Sequence, residues 1–149
     1  MSIFRTKPIG AEQPSGLKRA LGPGALIALG IGAIIGTGFP FKFQGEHVDT
    51  YLSTLKAVMT VAAGVRRPGA ASLDLAYVAA GRLDGFWEFG LSPWDTAAGT
   101  LMIQEAGGRV GKPNGDEYSL GANVIAGNPK VYENLLETLQ PLLPESLKH

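Results

Sequence analysis

From Glu46 onward, apolar and polar positions follow the periods of helices and strands in turn. Apolar residues between Val48 and Met59 recur at helical spacing and predict a helix that ends at Gly64. The sequence VRRPG then predicts a break in regular structure. The alanine-rich stretch over residues 70–80 predicts a second helix, which ends at a glycine.

The rest of the chain continues this alternation. The aromatic stretch DGFWEFG over residues 84–90 predicts a strand, and a third helix follows with Asp95 at or next to its N-cap. Arg109 and Val110 open another strand, the stretch NVIAG predicts a buried strand, and Asn128 caps a final helix. Strands that alternate with helices indicate an α/β domain.

An uncharged, glycine-rich run precedes this region. Residues 20–41 contain six glycines and Pro23. The run is long enough to cross a bilayer, where about 20 apolar residues suffice, but glycine and proline are poor helix formers. Three interpretations stay open: a membrane span, a secretory signal and a buried strand. The stretch GAIIGTG suits a buried strand of a parallel sheet.

Composition narrows the classes of function. The 149 residues are enough for one domain, and 45% hydrophobic residues can form a core. The absence of cysteine excludes disulfides, thiolate zinc sites and cysteine nucleophiles. Thirteen basic and thirteen acidic residues leave no basic excess, so we expect no binding of nucleic acid.

Several charged residues are candidates for chemistry. Asp95 can hold a Mg²⁺ ion at a helix start, or it can serve only as a helix cap. Glu88 can accept a hydrogen bond from a ligand hydroxyl, or it can face solvent from its strand. Arg66 can bind a carboxylate or phosphate, or it can lie on the surface. Asp74 and Asp84 are expected on solvated faces or in turns.

Residues 66–108, RRPGAASLDLAYVAAGRLDGFWEFGLSPWDTAAGTLMIQEAGG, closely resemble the C-terminal half of inositol monophosphatases. The most specific part is WDTAAG followed by EAGG. The similarity begins near residue 35 and extends to the C-terminus. It implies the C-terminal half of a layered α/β/α/β/α sugar-phosphatase fold, which we place at residues 39–149. It also implies Mg²⁺-dependent hydrolysis of inositol phosphate to inositol and phosphate.

The resemblance assigns roles to individual residues. Asp95 matches a metal-binding aspartate, Glu88 a glutamate that contacts inositol hydroxyls, and Arg66 a substrate-side arginine. Three small residues match those that line the inositol pocket: Gly69, Ala70 and Ala71. No residue is assigned as catalytic by this comparison.

The other metal ligands of the family belong to motifs of its N-terminal half, including a D-P-x-D-G-T-type motif. No D-P-x-D string occurs in this sequence. Since Mg²⁺ requires near-octahedral oxygen coordination, Asp95 and water alone bind it weakly. We therefore expect a truncated inositol-monophosphatase-like protein with a weak Mg²⁺ site and little or no phosphatase activity.

Residues 3–38 resemble a different class of protein, the N-terminus and first membrane helix of cationic amino acid transporters of the amino acid permease class. Both families can supply the sequence IGTG at residues 35–38. The two resemblances together imply a chimera, with a permease-like segment over residues 1–38 and a glycine-rich apolar part within it.

The expected partners follow from these resemblances. They are an inositol phosphate or similar sugar phosphate, a second copy of the chain in a homodimer, and a membrane contacted through residues 20–41. The expected location is the cytoplasm, with association to a membrane as the alternative. A non-catalytic fragment that is membrane-tethered or dimerising is the alternative function.

Overall fold

The structure, a computed structural model, describes residues 32–43 and 45–149. Its five short strands are β1 (Ile34–Thr37), β2 (Gly64–Arg66), β3 (Gly85–Glu88), β4 (Arg109–Gly111) and β5 (Val124–Gly127). They form one sheet in the order β2-β1-β3-β5-β4. Strand β1 is parallel to β2 and β3, whereas β5 is antiparallel to β3 and β4. The predicted α/β class is confirmed.

Helices cover both faces of this sheet. The α-helices are α1 (Val48–Val61), α2 (Ala71–Ala79), α3 (Pro93–Glu105) and α4 (Pro129–Leu139), and short 3₁₀ helices lie at Phe41–Phe43, Gln140–Leu142 and Glu145–Leu147. Val58 of α1 and Leu135 of α4 belong to the core cluster on one face. Leu75 of α2 and Ile103 of α3 belong to the cluster on the other face. The described residues therefore form three layers, α/β/α.

The buried-strand interpretation of the glycine-rich run is confirmed for Ile34–Thr37. Ile35 is 2% exposed. Strand β1 lies between β2 and β3 and pairs with both in parallel. Residues 20–31 lie outside the described residues, so the other two interpretations are untested there. Within residues 32–43 and 45–149, no helix combines the length and apolar character needed to cross a membrane.

The predicted break after the first helix is wrong for residues 65 and 66 and confirmed from residue 67, since residues 67–70 form no helix or strand. Helix α1 ends at Val61, three residues earlier than predicted, and Gly64–Arg66 forms the edge strand β2. Ile34 pairs with Gly64 and Gly36 with Arg66. A three-residue strand has too few positions to show a period of two, so its pairing with β1 was not visible in the sequence.

The cap of α4 confirms a local prediction. The Asn128 side chain accepts a hydrogen bond from the backbone N–H of Val131 at 3.0 Å, and Pro129 occupies the first helical position. We expect Asn128→Ala to lower the free energy of unfolding by about 1 kcal/mol, because a first-turn N–H loses its acceptor. Urea denaturation measures this loss. The control is Asn134→Ala, at an exposed position of α4, which should change the free energy of unfolding by less than about 0.5 kcal/mol. An equal loss in both variants would contradict a stabilising role of the Asn128 cap.

Candidate functional site

Glu88 ends strand β3 and is buried, with only 6% of its surface exposed. Its carboxyl group occupies the space that Gly38 leaves open, since a Cβ atom added to Gly38 would overlap the Glu88 carboxyl. The alternative of a solvent-facing strand residue is therefore excluded. A buried carboxyl at the end of a strand is suited to contact a ligand rather than water.

The protonation of Glu88 is set by burial and by its charged neighbours. Desolvation raises its pKa to about 7, and the negative charges of Asp74 and Asp95 act in the same direction. The positive charge of Arg67 opposes them. Asp74 lies on α2, Asp95 lies on α3 and Arg67 directly follows β2.

Asp95 is the third residue of α3 and not its N-cap, which is Ser92. Its Oδ2 accepts a hydrogen bond from the backbone N–H of Ser92 at 2.9 Å. The Ser92 hydroxyl in turn accepts a hydrogen bond from Lys42 Nζ at 2.5 Å. Asp95 thus has a capping role through Oδ2.

Asp74 corrects another expectation. It is 1% exposed, not on a solvated face, and neither of its carboxylate oxygens has a hydrogen-bond partner in the described part of the chain. Burial raises its pKa to about 6. Asp84 is the predicted turn residue, and its Oδ2 accepts a hydrogen bond from the Ile34 N–H at 2.7 Å. The sequence pattern gave no sign that Asp74 is buried, because α2 is apolar on most of its faces.

The two adjacent arginines have different surroundings. Arg66 is exposed, and its Nη1 donates to the Val65 carbonyl at 3.2 Å. The Arg67 guanidinium lies 3.9 Å from the centre of the Phe39 ring and lowers the pKa of Glu88. Arg67, which the sequence pattern did not single out, is therefore the arginine beside Glu88. No sequence signal separated the two arginines, because a three-residue strand is too short to show a period of two.

The three small residues lie at the start of α2. Gly69 has a φ of +87°, in the left-handed region that favours glycine, and a Cβ atom added there would meet no heavy atom within 4 Å. Ala70 is the N-cap and Ala71 the first residue of the helix. Asp74 follows in the first turn of α2, so the same helix start carries the small residues and a buried acid. Their contact with a substrate stays a prediction.

The described residues do not fit a complete Mg²⁺ site. Within residues 32–43 and 45–149, no three His, Cys, Asp or Glu side chains are placed to hold one metal ion. One oxygen of Asp95 is engaged by the Ser92 N–H. Since Mg²⁺ takes about six oxygens in octahedral geometry, the remaining ligands would have to come from water, from residues outside the described part of this chain or from another polypeptide.

Comparison with known proteins identifies the family. The model of the inositol monophosphatase family matches residues 31–144. The chain belongs to the inositol monophosphatase family. The Nus factor SuhB of Pseudomonas aeruginosa is 56% identical over 119 residues, which cover 78% of this chain and 44% of that protein. An inositol-1-monophosphatase of Mesorhizobium japonicum is 49% identical over 111 residues, 74% of this chain and 41% of that protein.

A solved structure supports the fold. The inositol monophosphatase from Anabaena superposes with a TM-score of 0.69 at 35% identity, over 78% of this chain and 46% of that protein. The family match includes strand β1, so Ile34–Thr37 is a part of the family sequence. No match supports the permease-like resemblance, most of which lies in residues 1–31, outside the described residues. The division of domains at residue 38 stays a prediction.

The chain spans less than half the length of the relatives it matches. The matched part contains Glu88 and Asp95 together with the small residues at the start of α2. The relatives contain further sequence that this chain does not match. The activity, substrates and partners of the complete relatives are therefore proposals for this chain.

Proposed function

We propose that this chain provides one half of an inositol-monophosphatase site and hydrolyses inositol phosphate only when a second polypeptide completes that site. The observation that carries the proposal is the buried carboxyl of Glu88, which ends β3 and whose pKa is raised by the negative charge of Asp95 in the first turn of α3. Both acids match site residues of the family, and we infer that they act on one bound molecule.

Each residue has a proposed role. Buried Glu88 binds a hydroxyl of the sugar, because the carboxyl group can accept or, when protonated, donate a hydrogen bond. Arg67 and Arg66 lie on the substrate side and attract the phosphate, Arg67 from beside Glu88. Gly69 with Ala70 and Ala71 provides room for the sugar ring at the start of α2. These small residues leave that space unfilled.

Asp95 supplies one ligand to Mg²⁺ in the proposed complete site. The ion would be the Lewis acid and would neutralise the phosphate. The metal ligands among residues 32–43 and 45–149 fall short of a complete Mg²⁺ site, so no step of hydrolysis is assigned to these residues alone. An inositol phosphate or similar sugar phosphate is the proposed substrate, and the cytoplasm is the proposed location.

A test of this function compares phosphate release from inositol 1-phosphate with Mg²⁺ for two samples. One contains the chain alone, and the other contains the chain co-expressed with the part of the Pseudomonas aeruginosa relative that lies outside the match. We expect release only from the second sample. Asp95→Asn should reduce it at least about tenfold, a loss of about 1.4 kcal/mol in transition-state stabilisation, because the amide removes an anionic ligand.

The control for this substitution is Asp49→Asn, an exposed acid in the first turn of α1 on the opposite face of the sheet. It should leave release unchanged. Activity of the chain alone that disappears in Asp95→Asn would show that the site is completed without a second polypeptide. Equal activity of Asp95→Asn and the unaltered chain would remove Asp95 from the proposed site.

A further inference from the structure

A groove lies between helices α1 and α4, on the face of the sheet opposite to α2 and α3. We call it the α1–α4 groove, and it has a volume of about 270 Å³. Its walls are mainly apolar and include Ile35, Val58, Val61, Val131 and Leu135. Since an apolar cavity of about 150 Å³ holds one benzene ring, this groove has room for about two apolar side chains of that size.

The chain enters the sheet at this groove. Ala33, which directly precedes β1, lines the groove together with Ala62. The Ala63 N–H donates a hydrogen bond to the Ala33 carbonyl at 3.0 Å, so β1 begins beside the end of α1. Because each residue advances the chain by at most about 3.6 Å, the Cα atom of Ile31 lies within about 7 Å of that of Ala33.

One buried polar group of the groove lacks an acceptor. Lys130, the second residue of α4, lines the groove, and its buried Nζ has no hydrogen-bond partner within residues 32–43 and 45–149. The nearby side chains of Asn128 and Thr138 form their hydrogen bonds within α4. A buried ammonium group without an acceptor is strongly destabilising. We therefore expect the acceptor to come from outside the described residues.

The residues that precede β1 match the groove in chemistry. Residues 20–31 have the sequence ALGPGALIALGI, which contains no charged residue. Ala33 and Ile35 both line the groove and are two residues apart, the spacing of side chains on one face of an extended chain. Leu29 and Ile31 continue this spacing toward the N-terminus. The backbone carbonyls of the same stretch are acceptors for an ammonium group.

Two other locations compete for this stretch, a bilayer and the groove of a second copy. Ile34–Thr37 lie in the sheet, so residues 20–33 are what remains of the uncharged run for a bilayer. They are fewer than the about 20 apolar residues that cross a bilayer. The groove of the same molecule has the further advantage of a covalent link, which gives a high effective concentration.

We infer that residues 25–31 occupy the α1–α4 groove of their own chain. Leu29 and Ile31 cover its apolar walls, and backbone carbonyls of the segment accept hydrogen bonds from Lys130 Nζ. The inference does not rest on the proposed function. The family match begins at residue 31, and Asp74 and Asp95 lie on helices of the opposite face of the sheet.

Thiol reactivity tests this inference, because the chain has no cysteine of its own. Leu29→Cys introduces one thiol, and Ser15→Cys introduces one outside the segment as the accessible reference. The rate of reaction with Ellman's reagent is measured in the full-length chain. We expect the thiol of the Leu29→Cys chain to react at least about tenfold more slowly than the reference, because the closed groove protects it. In a concentration of urea that unfolds the chain, the two rates should be equal.

Substitutions in the groove separate its contribution from that of other surfaces. Val61 lines the groove and is 47% exposed, so Val61→Lys in the Leu29→Cys chain adds a charge there and should restore the reference rate. Met59→Lys is the matched control, because Met59 is 63% exposed on the same helix and lies outside the lining of the groove. It should leave the thiol protected. Lys130→Met should speed the reaction about threefold, since the carbonyls of the segment lose their donor.

Three results would overturn the inference. The first is an equal rate for the Leu29→Cys and Ser15→Cys chains in the absence of urea, and the second is protection that Val61→Lys leaves unchanged. The third is protection that increases with protein concentration, together with dimers in sedimentation velocity, which would assign the groove to the segment of a second copy. Flotation of the unaltered chain with vesicles of phosphatidylcholine and phosphatidylglycerol, abolished by Leu29→Asp, would place the segment in a bilayer and contradict the inference as well.

Discussion

We expect the free energy of unfolding to fall as the pH rises from about 4 to about 7. Burial raises the pKa of Asp74 to about 6. Burial, together with the charges of Asp74 and Asp95, raises the pKa of Glu88 to about 7, against the opposing charge of Arg67. In the unfolded chain the same carboxyls have pKa values near 3.8 and 4.5. The native state therefore holds more protons than the unfolded state between these values.

The sign of the effect follows from this difference. The stability that the two carboxyls contribute is fully present below about pH 4, where both states are protonated. It is lost as the pH rises through about 6 and about 7, because ionisation is then easier in the unfolded chain. One pKa unit corresponds to about 1.4 kcal/mol, so Asp74 and Glu88 each account for a loss of about 3 kcal/mol.

Urea denaturation at pH 4, 5, 6, 7 and 8 measures this dependence. Asp74→Asn and Glu88→Gln should each flatten the decline, since neither amide ionises. The matched control is Asp49→Asn, which replaces an exposed acid of α1 and should keep the slope of the unaltered chain. A stability that rises between pH 4 and 7, or a slope that both amide variants leave unchanged, would contradict the burial of these carboxyls.

The substitution Trp87→Ala should lower the free energy of unfolding by about 3–5 kcal/mol. Trp87 is fully buried in the cluster that joins β3 to α1 and α4, together with Ile35 and Ile125. Removal of its indole ring leaves a cavity that the surrounding strands cannot close. The loss is a large share of the 5–15 kcal/mol that stabilises a typical domain.

Trp94→Ala is the matched control, because it removes the same side chain from an 80% exposed position. The free energy of unfolding should change by less than about 0.5 kcal/mol. Chemical denaturation followed by circular dichroism compares the two variants without relying on tryptophan emission. Similar losses for both would show that Trp94 is buried in the isolated chain.

The two tryptophans differ in burial, and the sequence pattern did not indicate this difference. Both lie in short stretches next to a charged residue, Trp87 before Glu88 and Trp94 before Asp95. A four-residue strand buried on both faces has no alternation of polar and apolar positions. The sequence alone therefore could not rank their burial, which depends on the elements that pack against each ring.

The sequence alone identified some residues of the candidate site. The motif WDTAAG and the aromatic strand led to Asp95 and Glu88, because their residue types are distinctive over a short distance in the chain. The structure adds Arg67, which directly follows β2, and Asp74 of α2, since the charges of both shift the pKa of Glu88. No local pattern relates Arg67 to Glu88, since only the parallel pairing of β1 with both β2 and β3 brings these strands into one sheet.

Local signals were sufficient for the α/β class, for most helices and strands, and for the family. Helical spacing, the Asn128 cap and the family motif each depend on residues within a few turns of one another. The order of the strands, the burial of Asp74 and the apolar side that α3 turns to solvent depended on the folded chain. Helical spacing shows that a helix has an apolar stripe, but only packing against the sheet decides whether that stripe faces inward.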